Sequence, residues 1–289
     1  MNNKDVLQKF LFEQAGVRGE IVHLKETIQA ILQQHSYPNV LQELLSEALV
    51  IASLLTASMK FKGRLTIQFQ GKGKIKLLLV QSNTDLQLRG LIQWNGEITP
   101  SDLLQELKNG TLAIIIDPDN NAAGRYQGIV AFEGNSLTQS IEAYFKYSEQ
   151  LPTRLWVTIK DSHAAGLLLQ VLPGKESDQD NDDWTRLTYL TETIKPDELL
   201  TLENKTLLYR LFSEEDIRLF DPIPVSFSCT CSVKRGEHAI LLLGREEAEL
   251  ELREKQKIVV TCEFCNKEYI FDRVGVDAIF KNNGKHTLH

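Results

Sequence analysis

All four cysteines of the chain fall in its last quarter. Cys229-Thr230-Cys231 is followed, after 30 residues, by Cys262-Glu263-Phe264-Cys265. Two close pairs supply four soft thiolates, the donor set that zinc takes in closed tetrahedral sites. No other feature constrains the fold of 229–289 as strongly. A segment of that length is too short for a robust core of its own, and ligation of a metal can contribute on the order of 10 kcal/mol to folding. Cys229, Cys231, Cys262 and Cys265 are therefore the expected zinc ligands. His238 and His286 are spare donors, read as surface residues because four cysteines already complete the set.

The spacing has a second consequence. Cys229 lies within disulfide reach of Cys231, and Cys262 of Cys265. An oxidant that attacks one thiolate leaves a sulfenic acid that its neighbour can resolve, and zinc would then leave. Any zinc knuckle shares some of this liability, so spacing alone leaves a static site and a redox switch both open.

The rest of the chain bounds the setting. With 289 residues, 42% of them hydrophobic, it can bury a sizeable core, and its length predicts one large unit plus something smaller. The N-terminus MNNKDVLQKF is charged, with no long apolar run behind it. The longest apolar stretch, 40–59, is interrupted by Glu43, Glu47 and Ser53. A cytoplasmic protein with no membrane span is the expectation. In that reducing compartment four cysteines point to metal or redox chemistry before a static disulfide framework.

The net charge of −7 is unevenly placed. Residues 1–173 are balanced, with 16 basic and 16 acidic side chains, and so are 229–289, with 10 of each. The segment 174–228 holds 6 basic and 13 acidic residues and accounts for the whole imbalance. Neither flank has the basic excess of a nucleic-acid binder, so no nucleic-acid partner is expected.

Periodicity predicts an α+β fold. Val40, Leu41, Leu44, Leu45, Ala48, Leu49, Ala52 and Leu55 recur at helical spacing after Pro38, with Ile51 and Leu54 widening the stripe, which reads as a long helix buried over most of its surface. Strands follow over 64–71, 74–81, 86–94, 111–117 and 126–134, the first two joined by a Gly71-Lys72-Gly73 turn. Ser136 opens a helix, with Gln139 as its capping-box partner, and Pro152 ends it near 148–152. Two more strands are read over 154–160 and 166–173. The stretch 174–183 has no apolar side chain and reads as a linker or exposed loop. Short amphipathic helices follow, closed off by Pro222 and Pro224. The expected organisation is a large, mainly antiparallel sheet domain with helices over 1–173, an acidic, partly helical linker over 174–228 and a small zinc-binding domain over 229–289.

Other motifs have plainer readings. Gly71-Lys72-Gly73-Lys74 lacks P-loop spacing and is a hairpin turn. Ser148 has no nucleophile elbow around it and sits at a helix end. His23 and His35 lack a partner pattern, Trp94, Trp156 and Trp184 are packing residues, and the glutamates over 246–254 form a solvated helix face.

Several blocks resemble one known family: RG (89–90), YQGIV (126–130), YFKYSEQLPT (144–153), LLLQVLP (167–173), RLF (210–212), FSCTCS (227–232) and CEFCNKEYIFD (262–272). Over about 5–280 the chain resembles the redox-regulated chaperones called heat shock protein thirty-three, and the cysteine arrangement is the most diagnostic block. The resemblance implies a bacterial cytoplasmic holdase of the stress response, with no catalytic residues. Its reduced, zinc-bound form is inactive. Oxidation releases zinc and pairs Cys229 with Cys231 and Cys262 with Cys265. The zinc unit and linker then lose structure, the chain dimerises, and unfolding client proteins are held without ATP and passed to ATP-dependent chaperones for folding.

Two other readings use the same cysteines. One is a zinc ribbon that docks a partner, against which the neutral tail and acidic linker weigh where nucleic acid is concerned. The other is a thiol-disulfide oxidoreductase using Cys262 and Cys265, for which the thioredoxin-like βαβ context is missing.

Overall fold

The computed structural model describes residues 5–120, 124–174 and 178–283. The chain divides into two compact units, Met1–Ser228 and Cys229–His289.

The first unit begins with strands β1 (Val6–Phe12) and β2 (Val17–Leu24) and helices α1 (Glu26–Leu32) and α2 (Asn39–Ser58). Strands β3 (Gly63–Gly71), β4 (Ile75–Asn83) and β5 (Gln87–Trp94), helix α3 (Pro100–Lys108), and strands β6 (Gly110–Pro118) and β7 (Tyr126–Val130) follow. Helix α4 (Leu137–Tyr147) leads to β8 (Thr153–Lys160) and β9 (His163–Val171). Next come α5 (Asp178–Glu192), α6 (Pro196–Thr201) and α7 (Asn204–Leu211), then the short strands β10 (Ile217–Leu219), β11 (Ile223–Pro224) and β12 (Ser226–Phe227).

Two sheets enclose α2. One runs β10-β1-β2-β9-β8, with β11 also pairing β1, and is antiparallel throughout. The other runs β12-β5-β4-β3-β6-β7 and is antiparallel except where β12 joins β5. Leu7, Val22, Leu24 and Leu168 of the first sheet and Ile67, Phe69, Leu78 and Val80 of the second close on α2 in one apolar core. This explains why the helix is apolar nearly all round. By length and composition it could cross a membrane, yet 78% of its apolar window is buried inside the protein. Gly166 of β9 lets the helix approach closely, because a Cβ there would collide with Val50 Cγ1.

The other face of the first sheet is covered by the acidic helices. Leu187 of α5, Leu199 and Leu200 of α6 and Leu207 and Leu208 of α7 are buried against Phe10, Phe12, Val17, Ile21 and Leu167. Ion pairs rim this contact: Arg154 with Glu192 at 3.1 Å and Lys160 with Asp197 at 3.3 Å. Exposed pairs of this kind contribute little, so the leucines hold the helices down.

Three local expectations are corrected. The stretch 174–183 is not wholly loop, because α5 starts at Asp178, and acidic residues suit the positive end of a helix dipole. The Ser136 capping box is displaced: Ser136 Oγ accepts from Gln139 N at 3.2 Å, but Gln139 Oε1 turns to Asn135 N at 2.6 Å. The strand expected over 126–134 ends at Val130. The turn from Gly71 to Gly73 joins β3 and β4, Ser148 caps the end of α4, and Trp94 packs on Tyr37 with ring centroids 5.4 Å apart, as expected. The glutamates over 246–254 also lie on a helix, described next.

The second unit holds α8 (Val233–Leu243), α9 (Arg245–Lys255), the hairpin β13 (Lys257–Thr261) and β14 (Glu268–Asp272), and α10 (Arg273–Asn283). Its core is small: Ile240, Ala248, Leu252, Ile258, Phe271 and Val276. Gly236 of α8 lies against the Phe271 ring, where a Cβ would come within 2.9 Å of Cζ.

Candidate metal centre

Each cysteine pair is placed by a different local device. Cys229 and Cys231 immediately precede α8, whose N-cap is Ser232 with its side chain accepting from Arg235 N at 3.4 Å. The guanidinium of Arg235 reaches back to donate to Thr230 Oγ1 at 3.0 Å, bracing the residue between the two thiols. Cys262 and Cys265 occupy the tip of the β13–β14 hairpin. Cys262 N donates to Lys267 O at 2.9 Å, and Cys262 O accepts from Cys265 N at 3.3 Å and Asn266 N at 2.8 Å. Asn266 takes a left-handed backbone, φ 50°, which lets the tip curl round.

These turns bring the four sulfurs together. All lie within 4.8 Å of one another. Cys229 Sγ is 3.6 Å from Cys262 Sγ, and Cys231 Sγ is 3.5 Å from Cys265 Sγ. A tetrahedral zinc with Zn–S bonds of about 2.3 Å spaces its sulfurs roughly 3.8 Å apart. Four free, half-buried thiols at this spacing fit such an ion. When bound, zinc would hold the thiols as thiolates and tie the approach to α8 to the hairpin tip. His238 is exposed on α8 and does not join the group. His286 lies outside the described residues.

Electrostatics set Cys231 apart from Cys229 and Cys265. Burial pushes the Cys265 thiol up to about 12 and also raises Cys229. Burial opposes ionisation of Cys231 too, but the Tyr269 hydroxyl donates to its Sγ at 3.1 Å and the other thiols add hydrogen bonds, drawing it down to about 7. The same bond pushes Tyr269 up to about 12. Cys231 therefore ionises more readily than Cys229 or Cys265. Sequence reasoning missed Tyr269. The available signal was strand alternation, which sets Tyr269 on the same side of β14 as the buried Phe271.

The Cys262-x-x-Cys265 pair sits at the tip of an antiparallel hairpin, away from any βαβ unit. That is the setting of a metal knuckle, unlike the start of a helix in a thioredoxin-like fold.

Comparison with known proteins decides the family. The Hsp33 family model, described as Hsp33 protein, matches residues 5–272. The chain belongs to the Hsp33 family. Among curated relatives, a 33 kDa chaperonin of Shewanella putrefaciens is 45% identical over 281 residues, covering 97% of each chain. Another, from Shewanella loihica, is 44% identical over 284 residues, covering 98% of each. A solved structure, the 33 kDa chaperonin (heat shock protein 33 homolog) of Thermotoga maritima, superposes with a TM-score of 0.81 at 20% identity, covering 98% of this chain and 100% of that one. That likeness is one of fold. The match over residues 5–272 bears out the resemblance read over about 5–280.

Proposed function

We propose that this Hsp33-family chain is a cytoplasmic, ATP-independent holdase whose activity is locked by zinc on Cys229, Cys231, Cys262 and Cys265. The observation that carries the reading is the convergence of four free sulfurs within 4.8 Å in a unit whose core holds six buried apolar residues among the described residues. Such a unit depends on its metal for stability.

The switching chemistry balances with hydrogen peroxide as oxidant. A thiolate attacks the peroxide, the O–O bond breaks, hydroxide leaves and a sulfenic acid remains. The neighbouring thiol attacks that sulfur, an S–S bond forms and water leaves. Each disulfide removes two electrons from the protein and reduces one peroxide. Cys229–Cys231 and Cys262–Cys265 are the proposed pairs, and two disulfides leave zinc without thiolates.

The acidic segment is the proposed responder. Its helices are short, with α6 and α7 spanning 6 and 8 residues, and isolated helices of that length do not persist in water. Losing their seat on the first sheet would uncover Phe10, Phe12 and Ile21, an apolar face suited to unfolding clients. Dimerisation on activation, and delivery of clients to ATP-dependent chaperones, belong to the same proposal. No catalytic residue is assigned.

The test is suppression of thermal aggregation by the full chain, compared between its reduced, zinc-bound form and its peroxide-treated form. Suppression after oxidation alone supports the reading. Equal suppression by both forms, or none by either, overturns it. Limited proteolysis within 174–228 should increase after oxidation, and unchanged cleavage would remove the acidic segment from the mechanism.

A further inference from the structure

His23, near the end of β2, joins the acidic segment to the sheet it covers. Its Nε2 meets Oδ1 of Asn204, the first residue of α7, at 2.9 Å. Asn204 Nδ2 donates in turn to Gln8 Oε1 on β1 at 3.0 Å. With its amide nitrogen committed to Gln8, Asn204 offers His23 an acceptor, so Nε2 carries the ring proton and Nδ1 is bare. Among the described residues no group accepts from Nδ1.

The surroundings discourage a second proton. The His163 ring, at the start of β9, lies 6.4 Å away centroid to centroid. Lys25, just before α1, adds positive charge on the His163 side. Asp5 is the counter-charge, but its carboxylate is already held by Lys25 N at 2.7 Å, Glu26 N at 3.2 Å and Thr27 N at 2.6 Å. Glu26, and Glu203 and Lys205 beside Asn204, are exposed, and Lys9 of β1 is directed to Ala57 O at 2.6 Å.

We infer that the His23–Asn204 contact makes docking of α7 on the first sheet proton-linked, so that acid favours release of the acidic helices without any change at the cysteines. Burial pushes the docked His23 below the ordinary imidazole range, the Asn204 bond opposes this, His163 adds to it and Asp5 offsets part of it. Burial and Lys25 lower His163 in the same direction. A depressed docked value means that the released ring takes the proton more readily. Docking is therefore strongest above the ordinary imidazole value, weakens as pH falls through it, and levels off below the docked value. The regulatory meaning rests on the holdase reading, because the segment freed by acid is the one proposed to respond to oxidation. The linkage itself does not.

The experiment is hydrogen exchange on the full reduced, zinc-loaded chain between about pH 7.5 and about pH 5.5, a span that brackets imidazole titration. Zinc content is measured in each sample, and wild type is compared with His23→Gln, whose amide can donate to Asn204 but cannot ionise. After correction for intrinsic rates, exchange across α7 should accelerate several-fold in wild type at the lower pH and clearly less in the variant, which keeps only His163. Acid-driven loss of zinc would affect both chains alike, so the difference between them reads the contact. Equal acceleration in both, or none in wild type, overturns the inference. Should His23→Gln fail to fold, NMR titration of the wild-type ring decides: His23 must titrate below the ordinary imidazole value, and titration at or above it ends the proposal. Because exchange is read, with no client present, failure here is distinct from failure of the aggregation assay.

Discussion

The Tyr269 hydroxyl donates to the sulfur of Cys231 at 3.1 Å, from a strand to a residue 38 positions earlier in the chain. This bond stabilises negative charge on the one thiol drawn down to about 7. Tyr269→Phe should raise that value in the metal-free chain and weaken zinc retention by roughly tenfold, the scale on which partners of ligating atoms act. Chelator competition measures it, and unchanged affinity would mean that the hydroxyl is incidental.

Gly236→Ala places a methyl 2.9 Å from Phe271 Cζ. Phe271 belongs to a core of six buried apolar residues among the described residues, so little can shift to receive it. Overpacking of this kind costs about 1–3 kcal/mol. A lower melting temperature and earlier zinc release on heating, followed in the same sample, are the expected readouts.

Glu20 gives the first unit a pH dependence of its own. Burial pushes its carboxyl up to about 7, against the pull of Arg18 and Lys9, and its Oε2 has no hydrogen-bond partner among the described residues. The folded state favours the protonated acid, so this contribution is complete below the ordinary carboxylate range and is lost as pH rises to about 7. Glu20→Gln should flatten the decline and stabilise the chain above neutrality by at most roughly 3 kcal/mol. Urea midpoints at several pH values test this, and parallel curves for the two chains would refute it.

Asp5, immediately before β1, caps α1 where it follows β2, accepting from Lys25 N, Glu26 N and Thr27 N. Asp5→Ala leaves three N–H groups without their acceptor and should cost about 2 kcal/mol, the upper range for loss of a helix cap. Asp5→Asn keeps one acceptor oxygen and should cost less. Denaturant unfolding ranks the two, and the reverse order would show that the carboxylate does not act as a cap.

Much of this was legible in the sequence, and the omissions have physical causes. The periodic apolar run of α2 and the alternation in β3 identified those elements closely because each presents a regular face to the core. Strand β2 escaped notice because it is covered on both sides, Val22 and Leu24 facing α2 and Val17 and Ile21 facing α5–α7, so its alternation is erased. The strands β10, β11 and β12 are two or three residues long and exist only through pairing with distant partners. At the metal centre spacing singled out the four cysteines, since ligand chemistry is written in residue type. Alternation along β14 puts Tyr269 on the side of the buried Phe271, but its bond to Cys231 joins the hairpin to a segment 38 positions earlier, a tertiary contact that no local pattern encodes.

The two sheets differ in how their strands are gathered from the chain. Five strands of the second, β3 to β7, lie between Gly63 and Val130 and connect to near neighbours. The first joins β1 and β2 to β9, more than a hundred residues later, and closes its edge only with β10 and β11. On a ribosome the second sheet can therefore assemble while most of the first is incomplete, and β1 keeps an open edge until residues 217–224 have emerged. Until then the nascent chain carries an unfinished sheet, exposed to the aggregation hazard that holdases exist to contain.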